Sequence, residues 1–419
     1  MNKNSKTHKL LNLSILDALS FIVVFLLIVG FLVFMHERLL IIAIQALFFI
    51  IMIVRLFLMK FKVNFYLLWS FLFFFFSIST SIWAYVSSNA IIASISFIQV
   101  VAVGNLIILF CDNELKLNFV KKVFIFSTII LIIRVLTYSP IDTLLNMRFG
   151  SIEGTEDLFN PNEIGRILLF SSLFIISMIN KNKYLTINIS LLVMFAFFLI
   201  FTGSRSSIIA YLLMVIWLIS KFLGKKMTIL ISFPIIILVL FTIYFSLMKI
   251  PILYMAVGSR LESAMGLLNG GTVDSSIISR LNLLRSGINL FKDKPLFGFG
   301  MGNYIELVST ELYSHNNYIE IMVGGGIIGL LIYYSLYLEL LFRMRKQRKR
   351  KNNALIYYLI LILLYFDFTS VSYYSEISGL VLAIVYAYAI MPAEPNYIQN
   401  SIDLCQNNML YLNKDGGIK

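Results

Sequence analysis

DALSFIVVFLLIVGFLVFMHERLLIIAIQALFFIIMIVRLFLM, residues 17–59, is two apolar runs broken once by the charged step at 36–38. Each run has about the 20 residues that a helix needs to cross the hydrocarbon core of a bilayer. Lys3, Lys6 and Lys9 precede the first run as in a signal peptide. That run is long enough to span, however, and no small-residue cleavage site follows, so it reads as a retained first helix.

The rest of the chain repeats the pattern. Of 419 residues, 59% are hydrophobic and 13% charged, whereas a soluble domain carries about 25% charged residues. The fold class is an all-α polytopic membrane protein. Twelve spans are expected, near 17–35, 39–59, 64–86, 90–110, 120–138, 164–180, 184–202, 207–223, 227–248, 319–342, 354–372 and 376–392. They form one integral membrane domain over 1–392. The Asn/Asp-rich remainder, 393–419, shows no helical period and reads as a solvated cytoplasmic tail.

The net charge of +13 would suggest nucleic acid in a soluble chain. Here its distribution fits the excess of Lys and Arg in cytoplasmic loops. With the N-terminus inside, 22 of the 34 basic residues fall in inner segments, nine in outer segments and three (Arg55, Arg134, Arg166) within spans. Both termini are then cytoplasmic. The run RMRKQRKRK at 343–351 is a topology anchor near anionic headgroups. Cys111 and Cys405 fall in cytoplasmic segments, which argues against a structural disulfide.

Two outer loops are long, about 139–163 and about 249–318, and loops of such length are usually functional. The outer face carries Arg148, Arg205, Arg260, Arg280, Arg285 and His315. A guanidinium fork suits phosphate or carboxylate. The alternative for each arginine is a pair with Glu262, Asp274 or Glu306, or with a headgroup. Arg205 sits in TGSRSS, 202–207, at the junction of two spans, where small neighbours let a ligand or a helix come close. It binds a ligand there or anchors the turn to headgroups.

Arg280 and Arg285 lie on a helix predicted over 275–292, capped near Asp274–Ser276 and stopped by Pro295. Its apolar spacing places it on the bilayer surface or against the bundle. Five residues apart, the two arginines are about 140° apart around the axis, so one small anion is not served by both. FGFGMGN, 297–303, lacks the strand and helix of a nucleotide loop and reads as a sharp turn. His315, in SHNNYIE, precedes the tenth span, with Asn316 and Asn317 placed to orient it. Its bland reading is a helix cap or an interface residue. Gly325 and Gly329 form a small-xxx-small pair for close helix packing. No zinc spacing or phosphate-binding loop is present.

TGSRSS, the two loop arginines, KPLFGFGMGNY and SHNNYIEIMVGGGIIG together resemble the bacterial O-antigen ligase and polysaccharide polymerase (Wzy-type) family. The similarity covers about 200–345, with weaker agreement in MRFGSIEG…LFNPNEIGR at 147–166. The resemblance implies a GT-C-like membrane glycosyltransferase with a large extracytoplasmic loop. Such enzymes use undecaprenyl-diphosphate-linked glycans at the outer face of the bacterial cytoplasmic membrane, without nucleotide sugar, metal or other cofactor. Its motif residues fall on Arg205, Arg280 and His315 as the catalytic set. Arg148, Arg260, Arg285, Asn316 and Asn317 are further substrate-binding candidates, with Glu163 and Glu320 as helpers. A chain-length regulator and a flippase are the partners it implies, with no nucleic acid.

The expected chemistry is inverting transfer. Arg205 and Arg280 stabilise the leaving diphosphate, and His315 takes the proton of the attacking hydroxyl. Two enzymes fit this: a polymerase that moves a growing chain onto a lipid-linked repeat unit, and a ligase that moves finished glycan to lipid A-core. The Ile-, Lys- and Asn-rich composition points to a low-GC genome and tilts the choice to the polymerase. The rival class is a flippase for lipid-linked oligosaccharide. It would require charges along a path through the bundle or two related halves, and neither is visible.

Overall fold

The computed structural model describes residues 3–58, 63–138, 148–150, 160–179, 184–222, 275–308, 312–347 and 353–392, with isolated positions between 241 and 263. Among the described residues the fold is helical and contains no strand. Its helices are α1 (Lys3–Val33), α2 (Arg38–Leu58), α3 (Phe65–Ser79), α4 (Ser87–Phe110), α5 (Glu114–Tyr138), α6 (Pro161–Met178) and α7 (Leu185–Phe201). There follow α8 (Arg205–Phe222), α9 (Ser275–Asp293), the short α10 (Tyr304–Val308), α11 (Asn317–Lys346), α12 (Asn353–Asp367) and α13 (Glu376–Ile390).

Eleven of the twelve expected spans coincide with helices, while the ninth, 227–248, lies almost wholly outside the described residues. Five helical stretches are long and apolar enough to cross a membrane: Ile15–Val33, Arg38–Leu58, Phe65–Ile82, Ser87–Phe110 and Asn317–Lys346. Four shorter apolar helices accompany them. Expected starts are often marked by a cap. Asn64 Oδ1 accepts from Leu67 N at 3.0 Å ahead of α3, and Asn160 with Pro161 opens α6. One expected boundary moves. The eleventh span was to reach 372, but α12 stops at Asp367, where Phe366 O accepts from the amides of Thr369 and Ser370. Residues 368–375 thereby become a loop.

The core is a continuous apolar cluster rich in aromatic rings. Helix α11 packs on α3, where the Trp69 indole donates to the carbonyls of Ile332 and Tyr333 at 3.0 and 2.9 Å. Added Cβ atoms at Gly325 and Gly329 would both come within 2.9 Å of the Phe76 ring, so this pair does serve close packing. The intramembrane Arg55 is buried and donates to Asp17 at 2.5 Å and Asp112 at 3.3 Å, which Lys116 also contacts at 2.8 Å. Arg134 donates to Val33 O at 2.6 Å and Glu37 at 3.1 Å. These two charges tie helices together and do not line a path.

Helix α11 is broken at Gly326, which has φ 62° and ψ −162°. The break would leave backbone groups without partners inside the bundle, at a cost of several kcal/mol each in a water-poor setting. The turn after α9 takes them up. Phe299 N donates to Val323 O at 2.8 Å and Gly300 N to Gly324 O at 2.9 Å; Ile327 N donates to Pro295 O at 2.8 Å and Ile328 N to Leu296 O at 3.3 Å. The sharp turn expected at 297–303 is present, with Gly298, Gly300 and Gly302 all at positive φ. It is further pinned by Met301 N to Thr80 Oγ1 at 3.0 Å and Val86 N to Asn303 Oδ1 at 2.7 Å.

Gly326→Ala is expected to destabilise the protein by at least about 2 kcal/mol, because that backbone region is essentially restricted to glycine and a Cβ would overlap the Leu296 carbonyl. Gly30→Ala, whose Cβ would meet only the tip of Ile44, is expected to stay within about 0.5 kcal/mol of wild type. Thermal melts of the detergent-purified variants check both.

Candidate functional site

The small-residue turn between α7 and α8 packs on α6. A Cβ at Gly165 would lie 2.8 Å from Ser207 Oγ and 3.1 Å from Ser204 Cβ. The close approach of TGSRSS is therefore to a helix, and it brings Arg205, the first residue of α8, beside the start of α6. Residues 148–150 run alongside. Phe149 N donates to Phe201 O at 2.9 Å, Arg148 Nε to Thr202 O at 2.8 Å and Arg148 Nη2 to Asn162 Oδ1 at 3.0 Å.

Helix α9 closes the third side. Its buried Leu283 and Gly287 pack with Tyr304 and Ile319, and the Tyr304 hydroxyl donates to Leu283 O at 2.5 Å. Both arginines of this helix are exposed, but Arg280 lines the space facing the turn and Arg285 does not. A polar cavity of about 140 Å³ results, lined by Arg148, Arg166, Arg205, Arg280, Asn162 and Ser206, with Gly203, Ser276 and Thr369 completing it. Arg166 enters from α6 and donates to Ser370 Oγ at 2.8 Å. Four guanidinium groups thus surround one small space, and Arg148 and Arg166 hold neutral oxygens. Such a constellation is built to receive a compact anion.

His315 lies in the loop before α11 with φ 51°, an uncommon conformation for a residue with a side chain. The loop is held by Ser314 Oγ donating to Asn316 O at 2.8 Å and by Ser314 N donating to the buried Glu320 at 3.3 Å. The imidazole packs on Tyr313 with ring centroids 4.0 Å apart and the planes tilted by 42°. Burial, helped by the Arg280 charge, pushes the His315 pKa down to about 4, so the ring is neutral at physiological pH. Burial also raises the Tyr313 hydroxyl.

Of the residues singled out from sequence, Arg148, Arg205 and Arg280 meet at the cavity, and His315 lies within electrostatic reach of Arg280. Neither asparagine is hydrogen-bonded to the histidine. Asn316 caps α11 by accepting from Ile319 N at 3.1 Å. Asn317 is buried; its Oδ1 accepts from Ser372 N and Tyr373 N at 3.0 and 3.1 Å, and its amide donates to Tyr334. Arg260 lies outside the described residues. Arg166 was read as a charge within a span, and its place at the site was missed. The signal available was its position in NPNEIGR, one helical turn after Asn162, which also lines the cavity. Among the described residues no group of three His, Cys, Asp or Glu side chains gathers to hold a metal ion.

Asn317→Ala would leave two buried backbone amides unsatisfied, at about 1–3 kcal/mol each. The expected outcome is a marked fall in melting temperature of the purified variant.

No curated protein matches the chain. A family model does: the one described as O-antigen ligase matches residues 190–334, a segment that includes Arg205, Arg280 and His315. The resemblance read from the motifs is borne out over that segment, which is similar to the O-antigen ligase domain.

Proposed function

We propose that the protein is a polysaccharide polymerase. It transfers a glycan chain from undecaprenyl diphosphate onto a lipid-linked repeat unit at the outer face of the cytoplasmic membrane, for capsule, exopolysaccharide or O-antigen. The observation that carries this reading is the gathering of Arg148, Arg166, Arg205 and Arg280 about one cavity of about 140 Å³, with His315 beside Arg280. A twelve-span topology with both termini cytoplasmic puts the α7–α8 junction, α9 and the His315 loop on the outer side. The choice of polymerase over ligase rests on the Ile-, Lys- and Asn-rich composition.

The mechanism follows from the groups present. The acceptor hydroxyl oxygen attacks C1 of the donor sugar from the side opposite the diphosphate. The new C1–O bond forms as the C1–O(phosphate) bond breaks, which inverts the anomeric centre. The electron pair of the broken bond goes to the diphosphate, whose growing charge meets the guanidinium groups of Arg205 and Arg280. The hydroxyl proton passes to a neutral His315 nitrogen, and undecaprenyl diphosphate leaves. A diphosphate bound beside Arg280 offsets the charge that depresses the His315 pKa, so the base strengthens when the donor is in place.

His315→Ala is expected to leave only single repeat units on the lipid carrier or at the surface, with wild-type amounts of protein in the membrane. The length distribution of surface glycan reads this directly. Unchanged polymer would remove His315 from the chemistry. Fully polymerised glycan stranded on its lipid carrier would make the enzyme a ligase. Arg205→Lys and Arg280→Lys keep the charge but lose the fork, and each is expected to lower the transfer rate by about 100-fold or more.

The pH profile gives an independent check. A base with depressed pKa stays neutral as pH falls, so the acid limb of kcat/KM, which reports the free enzyme, is expected near pH 4. A limb near the ordinary histidine value of about 6.5 would contradict the buried setting of His315.

A further inference from the structure

A second cavity, of about 440 Å³, shares Arg166 with the arginine cavity. Its size lies within the roughly 300–1,000 Å³ of small-molecule sites. Its polar lining is of another kind: Gln45 of α2, Gln99 of α4, Glu163 of α6, Glu376 of α13, and Tyr313 and Tyr374 from loops. Phe31 and Val103 contribute apolar wall. The side chains of Gln45, Gln99, Glu163 and Glu376 make no hydrogen bond or ion pair with another described residue. Polar groups turned into a cavity between membrane helices call for a polar occupant.

The chemistry selects the occupant. Carboxamides donate and accept, carboxylates accept, and phenol rings offer a flat apolar face with a polar tip. A neutral polyhydroxylated molecule satisfies all of these, whereas two carboxylates repel an anion. The two cavities are therefore sorted by charge, with Arg166 as the common wall. A link to the reacting centre is also present, since Tyr313 of this cavity is the ring against which His315 packs.

We infer that this second cavity is the acceptor subsite. It holds the terminal sugar residues of the glycan that supplies the attacking hydroxyl, while the donor diphosphate occupies the arginine cavity. This assignment rests on the polymerase reading above. His315, whose ring packs on Tyr313 of this cavity, then takes the proton of the acceptor hydroxyl. Gln45, Gln99 and Glu376 recognise sugar hydroxyls and do not contact the diphosphate.

Two probes separate the subsites. Lipid-linked glycan extracted from cells lacking the protein, released from its lipid by mild acid, is an acceptor without diphosphate. Undecaprenyl diphosphate is the leaving group without sugar. Binding of each to the purified full-length protein in nanodiscs is measured by calorimetry. The double variant Gln45→Leu/Gln99→Leu and the isosteric Glu376→Gln are expected to weaken oligosaccharide binding about tenfold or more, with undecaprenyl diphosphate held within about twofold; tenfold is about 1.4 kcal/mol. Arg205→Lys is expected to show the reverse pattern. Unchanged oligosaccharide affinity in both cavity variants, each with wild-type melting temperature, would overturn the subsite. Wild-type protein that binds undecaprenyl diphosphate but not the oligosaccharide would also overturn it, leaving the polymerase reading intact. Wild-type protein that binds neither would sink that reading and the subsite with it.

Discussion

The break in α11 at Gly326 is the constraint on which the rest of the site depends. A helix interrupted inside a membrane bundle must find partners for its freed carbonyls and amides, and here they come from Pro295–Gly300. That pairing fixes the end of α9, and α9 carries Arg280. It also fixes the first turns of α11, which follow directly from the His315 loop. One backbone junction thus sets the relation between the guanidinium and the imidazole. Thr80 and the Val86 amide extend the same junction to the α3–α4 connection.

Charge is handled in two ways in this protein. Arg55 and Arg134 bond to carboxylates and hold helices together, which is how a buried cation is normally accommodated. Arg148 and Arg166 bond to a carbonyl, an amide oxygen and a hydroxyl, hydrogen bonds that orient their guanidinium groups at the cavity. The first arrangement serves the fold. The second keeps positive potential where a diphosphate would accumulate charge, and orientation in advance is what makes such stabilisation effective in a transition state.

Much of this was legible in the residues. Apolar run length located eleven helices, and apolar spacing located α9 almost to the residue, expected over 275–292 and found at Ser275–Asp293. The sharp glycine turn and the Gly325–Gly329 packing pair also stand. The rest depended on partners distant in the chain. Three consecutive glycines do not say which one breaks the helix; the Leu296 backbone decides that. Asn317 looked placed to orient the histidine until its amide met residues 372–373. Arg166, six residues past an asparagine cap, looks like any charge near a helix start until the α7–α8 turn and α9 close around it.

The most direct test of the account is a structure of the protein in nanodiscs with undecaprenyl diphosphate bound. The account expects the diphosphate among Arg148, Arg166, Arg205 and Arg280, with the lipid running from that cavity into the bilayer. Diphosphate held elsewhere, with this cavity empty, would contradict it.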